Sequence, residues 1–352
     1  MRVPATVLVL VCLSGYISLL VWIFISDCSL SRSLRQLTRM PESHKHRIGS
    51  RKAPSFHIRF KDYQEEATFT VLPNRFSMTC RSQKNSSSPL TLLVIVLSSP
   101  DKESIRNVIR EQWANKHNTQ AIKNGHAQVY FLIGNGQTVT SELLQEARRY
   151  NDLIITNTVD NYKNLVYKVY TILHIASNMC SPTFVLKVDE DVVFHIDRFM
   201  SRVKQTFIPD KSAIYCKTWK RIKPKRDSRS KWYVSREQFG GSVYPDFCSG
   251  SSYVLSVQAA RELLRAARDF KRIQVEDVLF TGIIAQSRGI RRVHLPNMFH
   301  ITPRLDVRCP LSFGHPALLS KHNVKSVAGI RRTWHYMNRD CRLPIPPTVR
   351  RN

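Results

Sequence analysis

Two short acidic groups are the residues best placed to do chemistry. The stretch FVLKVDEDVVFHID, residues 184–197, begins apolar, delivers Asp189, Glu190 and Asp191 in succession, and turns apolar again at Val192. Like charges that close repel, and burying them is costly unless something neutralises them. Residues two apart in an extended segment face the same side, so Asp189 and Asp191 present their carboxylates together. Such a pair suits a hard divalent cation bound through oxygen, Mg2+ or Mn2+. Mg2+ mostly bridges one or two carboxylates to substrate phosphates, which points to a nucleoside-diphosphate ligand. The plainer reading of the same residues is a solvated turn or helix cap. D-x-D spacing alone arises often by chance; its place at the end of an apolar strand singles it out. The second group is Glu276 and Asp277, within VEDVLFTGIIA at 275–285. Carboxylates suit a helix N-terminus, where the dipole stabilises them. A buried one also suits a general base that takes a proton from a hydroxyl. The two roles are compatible.

These groups need elements to position them. The segment LTLLVIVLS, residues 90–98, is a continuous branched apolar run, expected for a strand buried on both faces. A helix is expected at 104–113, a strand at 127–134, a charged helix at 141–150 and a third strand at 152–159. Apolar spacing at Leu165, Val169, Ile172, Leu173 and Ala176 predicts a helix over 164–179, and the strand carrying the acidic trio follows. Alternating strands and helices imply an α/β sandwich with a mostly parallel sheet and helices on both faces. Ligands of such sheets bind at the carboxyl ends of the strands, where the trio stands. Beyond it an amphipathic helix is expected at 257–270, and the chain from His294 onward is rich in loops, with Pro296, Pro303, Pro310 and Pro316.

The chain has 352 residues and a formal charge of +28. No charged residue occurs over 3–26. That run is long enough to cross a bilayer, which takes about 20 apolar residues; a cleaved signal peptide is the alternative, though its apolar core is usually shorter and no clear A-x-A site follows. The expected organisation is a short tail at 1–4, a membrane anchor at 5–26, a polar and basic stem at 27–88, and a catalytic domain at 89–352. Charge counting leaves orientation ambiguous, with Arg2 before the run and Arg32, Arg35 and Arg39 after it. Cysteines 80, 180, 216, 248, 309 and 341 form an even set of six, compatible with disulfides in an oxidising compartment. Asn85-Ser86-Ser87 is a glycosylation sequon, which has meaning only in a lumen. The basic excess peaks in KTWKRIKPKRDSRSK, residues 217–231, with eight basic residues and one acid. Such a run reads as a solvated loop, or as a rim that attracts an anionic acceptor or membrane head groups. Charge alone also fits nucleic-acid binding, which an N-terminal anchor argues against.

Several segments resemble the β-1,3-galactosyltransferase family, glycosyltransferase family 31, in one order over about residues 90–341. RNVIREQW at 106–113 resembles its R-x-x-I-R-x-x-W, FLIG at 131–134 its second strand, and YNDLIITNTVDNYKNLVYK at 150–168 its D-x-Y-x-N-L-x-x-K element. FVLKVDED resembles F-x-x-K-x-D-D-D, with Glu190 for the middle Asp. YPDFCSGSSYVLS at 244–256 resembles Y-P-x-Y-x-x-G-x-x-Y-x-x-S, with Phe247 for a Tyr. EDVLFTG resembles E-D-V-x-x-G, with Thr281 in the place of the Gly and Gly282 one place late.

The resemblance implies a GT-A fold and a single-pass type II Golgi membrane enzyme whose catalytic domain is luminal. It implies galactose transfer from UDP-galactose to the 3-hydroxyl of an acceptor sugar on a glycoprotein, glycolipid or proteoglycan, with inversion to a β-linkage. In that reading Asp189 and Asp191 hold Mn2+ or Mg2+, Asp277 is the base, and Arg106, Arg110, Lys187, Asp189, Glu190 and Asp191 contact the donor. A C-terminal His completes the metal site; His294, His300 and His322 are candidates, and His322 falls at the expected distance. Trp232 and Tyr233 are candidates for a sugar platform. The nearest alternative is the same machinery with UDP-N-acetylglucosamine or UDP-N-acetylgalactosamine. A catalytically silent, membrane-anchored lectin is the alternative of a different class.

Overall fold

The computed structural model of the chain describes residues 53–74, 76, 80, 90–136, 138–302 and 317–339. The 3–26 run, the Asn85 sequon, Cys309 and Cys341 lie outside the described residues. In chain order the elements are β1 (Ser55–Phe60), β2 (Tyr63–Val71), β3 (Leu92–Ser98), α1 (Glu103–Glu111), β4 (Ala127–Gly134), α2 (Ser141–Tyr150), β5 (Leu153–Thr156), α3 (Leu165–His174), β6 (Phe184–Asp189), β7 (Val193–Phe194), β8 (Ala213–Trp219), β9 (Phe247–Ser256), α4 (Val257–Ala267), β10 (Arg291–His294), β11 (Phe299–His300), β12 (Ser320–Lys321) and α5 (Val327–Met337). Among the described residues no helix is long and apolar enough to cross a membrane.

Every residue of β3 is buried. Alternate side chains of a strand point to opposite faces. Leu93, Ile95 and Leu97 accordingly enter one core, with α3 and α4. Leu92, Val94 and Val96 enter the other, with α1 and α5. Two apolar layers thus cover the sheet, as the unbroken apolar run requires. Side-chain caps fix where the helices start: Thr140 accepts from Leu143 N, Ser256 from Ala259 N, and Ser326 from Gly329 N.

The main sheet has nine strands in the order β1-β2-β5-β4-β3-β6-β9-β8-β10. Its centre, β5-β4-β3-β6, is wholly parallel. β2 and β9 run against it, and the remaining strands run with it. The chain moves outward from β3 through β4 to β5 and then returns to place β6 on the other side of β3. That reversal makes a crevice at the carboxyl ends of β3 and β6, the kind of place where open α/β sheets bind ligands. A small sheet, β11-β12-β7, lies beyond β6, with β12 antiparallel to β7.

The expected stem at 27–88 is corrected over part of its length. Residues 55–71 form β1 and β2, which extend the main sheet from β5. β1 alternates exposed and buried residues, with Phe56, Ile58 and Phe60 facing the core. Its outward Ser, His and Arg side chains give it the polar texture of a stem. Cys80 is buried and joined to Cys180, which tethers the segment after β2 to the end of the α3 region. There the helix expected over 164–179 changes winding, with α3 passing into a π-helix at Ile175–Cys180. In the intact chain, Phe56→Ala should cost about 3–5 kcal/mol and Ile58→Ala about 2–5 kcal/mol of unfolding free energy. Denaturant unfolding checks this; unchanged stability in both variants would return the segment to a spacer.

Candidate active site

β6 ends at Asp189, and the next two residues turn away from the sheet. The trio is split three ways. Asp189 Oδ1 accepts from Lys187 Nζ at 2.7 Å. Glu190 Oε2 accepts from Ser98 Oγ at 2.6 Å and from Ser99 N at 3.2 Å, pinning the turn to the end of β3. Asp191 Oδ2 lies 3.3 Å from His322 Nε2. The small sheet delivers that histidine: Lys321 pairs with Val193, and Val324 N donates to the Asp191 carbonyl at 2.8 Å. Of the three candidate histidines, His322 is the one brought to the trio. His294 instead bonds to Thr218, 3.0 Å from its N and 2.6 Å from its Oγ1. His300 lies on β11, paired with Lys321. Among the described residues no group of three His, Cys, Asp or Glu side chains converges as a ready metal site. The donor set nevertheless fits a hard cation: Asp191 and His322 already bring two oxygen and nitrogen donors together, and Asp189 is on the same turn.

Lys187 joins the two acidic groups. It is buried, and its ammonium lies 2.7 Å from Asp189 Oδ1 and 3.1 Å from Glu276 Oε1, while also donating to the Gly250 carbonyl. Burial alone would lower its pKa; the Asp189 and Glu276 carboxylates outweigh that and hold it above its ordinary value. Glu276 Oε2 also accepts from Tyr253 OH at 3.0 Å. Asp277 is the N-cap of a π-helix at Val278–Ile284, its Oδ1 accepting from Val278 N at 2.8 Å. Burial and the neighbouring Glu276 charge push the Asp277 carboxyl up to about 7, against the opposing pull of Lys187. Gly250 permits this packing, since a Cβ there would stand 2.9 Å from Asp277 Oδ2. The late glycine of EDVLFTG has a physical account. π-Helical winding takes up an extra residue, and Gly282 comes against β9, where a Cβ would lie 3.0 Å from Phe247 Cβ. Thr281 Oγ1 accepts from Cys248 N at 2.8 Å and donates to the Asp277 carbonyl at 2.6 Å.

Two cavities meet over these groups, sharing Tyr162, Leu165 and Asp189. One, of about 690 Å³, lies at the ends of β3 and β6 and takes in Ser98, Ser99, Asp160, Lys168, Glu190 and Asp191. The other, of about 430 Å³, is lined by Lys187, Glu276, Asp277 and His322 together with Trp219, Lys223, Lys225 and Trp232.

Arg106 and Arg110 line neither cavity, which corrects their expected donor contacts. Arg106 is wholly buried and bound to Glu146 at 2.7 and 2.6 Å. Its other donors reach Ser98 Oγ and the carbonyls of Ser99 and Pro100, so it shapes the turn after β3. Arg110 is held by Glu146 and Asp152, each at 2.8 Å. Their guanidinium groups are satisfied inside the protein. Three further residues of the D-x-Y-x-N-L-x-x-K element, none of them expected at the site, line the cavities. Lys168 bonds Asp160 at 2.6 Å and the Ser98 carbonyl at 3.0 Å, and Tyr162 separates the two cavities. Asp160 Oδ2 is buried without a hydrogen-bond partner. The spacing D-x-Y-x-N-L-x-x-K held the available signal: Asp160 and Lys168 meet because the intervening residues turn into α3.

A family model described as "Galactosyltransferase" matches residues 104–296. The chain is 34% identical over 256 residues to β-1,3-galactosyltransferase bre-2 of Caenorhabditis elegans, covering 70% of this chain and 68% of that protein. It is 28% identical over 227 residues to β-1,3-galactosyltransferase 1 of Mus musculus, covering 63% and 68%. It is 28% identical over 206 residues to lactosylceramide 1,3-N-acetyl-beta-D-glucosaminyltransferase of Xenopus tropicalis, covering 56% and 55%. A solved structure of the galactosyltransferase LgtC aligns over 73% of this chain and 99% of its own at 10% identity, with a TM-score of 0.35, too distant to add to the argument. The sequence match over more than half its length shows that the chain belongs to the galactosyltransferase family, as a hexosyltransferase using a nucleotide-sugar donor and a glycan acceptor.

Proposed function

We propose that the chain transfers galactose from UDP-galactose to the 3-hydroxyl of an acceptor sugar, with inversion to a β-linkage. The observation that carries this reading is Asp277, a carboxyl that lines the smaller cavity beside Glu276 and Lys187, where burial pushes it up to about 7. The larger cavity takes the nucleotide. Asp160 Oδ2, buried and unpartnered, accepts a hydrogen bond from the ribose or the base. Asp277 accepts the proton of the attacking hydroxyl as its oxygen bonds to C1 of the donor sugar. The bond from C1 to the phosphate oxygen breaks, and UDP leaves with the electron pair. Burial raises the Asp189 and Glu276 carboxyls; Lys187 opposes that shift and fixes both relative to the base. Asp189, Asp191 and His322 would hold Mn2+ or Mg2+, which when bound neutralises charge on the diphosphate.

The compartment follows the same logic. The two disulfides, Cys80–Cys180 and Cys216–Cys248, suit an oxidising lumen. With residues 5–26 as anchor, this is a single-pass type II protein of the Golgi membrane whose catalytic part is luminal.

Two outcomes are expected. UDP release from UDP-galactose should need Mn2+, vanish with EDTA, and fall by about 100-fold or more in Asp191→Ala; equal turnover with and without EDTA would remove the metal from the proposal. Preference for UDP-N-acetylglucosamine would keep the mechanism and change the donor. Asp277→Asn should lower kcat by about 100- to 10,000-fold, and the wild-type rate should fall as pH drops through about 7. The same group sets a stability test. Its folded pKa is raised above the unfolded value, so the folded state holds the extra proton, and stability falls as pH rises from the unfolded value through about 7. Asp277→Asn should therefore raise Tm at pH 8 more than at pH 5, read by thermal unfolding at both; a pH-independent difference would count against the raised pKa.

A further inference from the structure

The galactosyl-transfer reading leaves the acceptor open, and the basic run at 217–231 bears on it. This run begins at the end of β8 and continues into the connection to β9, residues 220–246, which lines the smaller cavity. It is a built strap. Arg226 donates to the carbonyls of Val234, Phe239 and Gly241 at 2.7, 2.8 and 2.9 Å. Val234 N donates to the Lys225 carbonyl at 3.0 Å and Tyr244 N to that of Ile222 at 2.9 Å. The Cys216–Cys248 disulfide closes its base.

This strap presents uncompensated positive charge to the cavity that contains Asp277. Lys223, Lys225 and Lys231 line that cavity. Among the described residues Lys223 and Lys225 enter no ion pair, whereas Lys220, outside the cavity, lies 3.8 Å from Asp246. Lys231 is held over two rings, 4.6 Å from that of Trp232 and 5.3 Å from that of Tyr162, contacts that fix an ammonium without neutralising it. Large apolar side chains share the same wall: Trp219 is 37% and Trp232 48% exposed. The cavity wall therefore carries carboxylates and also, in the strap, ammonium groups and indole faces that no carboxylate among the described residues pairs. A ligand that spans it puts a hydroxyl at Asp277 and negative charge at the lysines. In the galactosyl-transfer reading the nucleotide takes the other cavity, at the ends of β3 and β6.

We propose that the acceptor is an anionic glycan, carrying a sulfate, phosphate or carboxylate near its accepting sugar, with Lys223, Lys225 and Lys231 reading the charge and Trp219 and Trp232 carrying the rings. This rests on the galactosyl-transfer reading, and the test separates the two. The full chain with UDP-galactose is given a β-galactoside and the same galactoside bearing a 6-sulfate, and kcat/KM is measured for each. Binding of both probes is followed in parallel by tryptophan fluorescence, which needs no turnover. The sulfated acceptor should be preferred by about tenfold at low salt, the sum of three exposed charge contacts, and less so as salt rises. In the triple variant Lys223→Gln, Lys225→Gln and Lys231→Gln the preference should shrink toward one, through the acceptor KM. Tighter, lysine-dependent binding of the sulfated probe without turnover of either would uphold the acceptor class and overturn the reaction. Equal binding of the two probes, or a triple variant that raises the donor KM instead, would overturn the inference. So would lysine-dependent binding to phosphatidylserine vesicles with no preference for the sulfated probe, which would make this wall a membrane contact.

Discussion

Lys187 stands on β6 with its ammonium out of water, and two carboxylates from distant parts of the chain share it. Burying an isolated ammonium is prohibitive, and so is burying Glu276 beside the half-buried Asp189 without one. Each group is tolerable because of the others. The consequence is geometric as much as energetic. Asp189 ends β6 and Glu276 precedes Asp277, so one side chain fixes the distance between the two acidic groups. The Gly250 carbonyl, which also accepts from this ammonium, brings β9 into the same knot. Nothing larger than glycine fits at that point, because the Asp277 carboxyl already occupies the space.

A second buried cluster does comparable service from behind the sheet. Arg106, Arg110 and Glu146 tie α1 to α2, and Arg106 reaches on to the turn after β3. That turn is where Glu190 docks. The chain of contacts runs from α2 through Arg106 and Ser98 to the acidic trio, so the trio's conformation is set from outside the cavity. Removing one partner of such a pair leaves a charge stranded in the interior, which is why buried pairs fix structure more surely than they add stability.

Much of this was legible in the chain. β3 announced itself by an unbroken apolar run, and β4 and α2 by their periodicity, because burial on two faces or on one stripe leaves a pattern that needs no partner to be read. The acidic trio was visible for the same reason, as three charges where a buried strand ends. What depended on distant partners was not visible. Arg106 and Arg110 looked like free cations because Glu146 lies forty positions from Arg106, and spacing says nothing of that meeting. β1 hid because its outward Arg59 and His57 resemble the basic residues around it, while only three inward positions mark it as a strand. The cysteine pairings likewise join residues far apart in the chain, and the π-helical winding at Val278–Ile284 follows from packing against β9 and not from local preference.

The Cys216–Cys248 bond has a consequence for how such a protein can diverge. It fastens the two strands from which the basic strap departs and to which it returns. The strap's own shape is kept by Arg226 and a few backbone bonds, and it contributes nothing to either core layer beyond Val234, Tyr244 and the half-buried Phe239. Connections anchored at both ends accept changes in length and composition at little thermodynamic cost. This wall of the smaller cavity is therefore a replaceable cassette set on a fixed frame, and a chain with this architecture can acquire a new clientele while its carboxylates stay where they are.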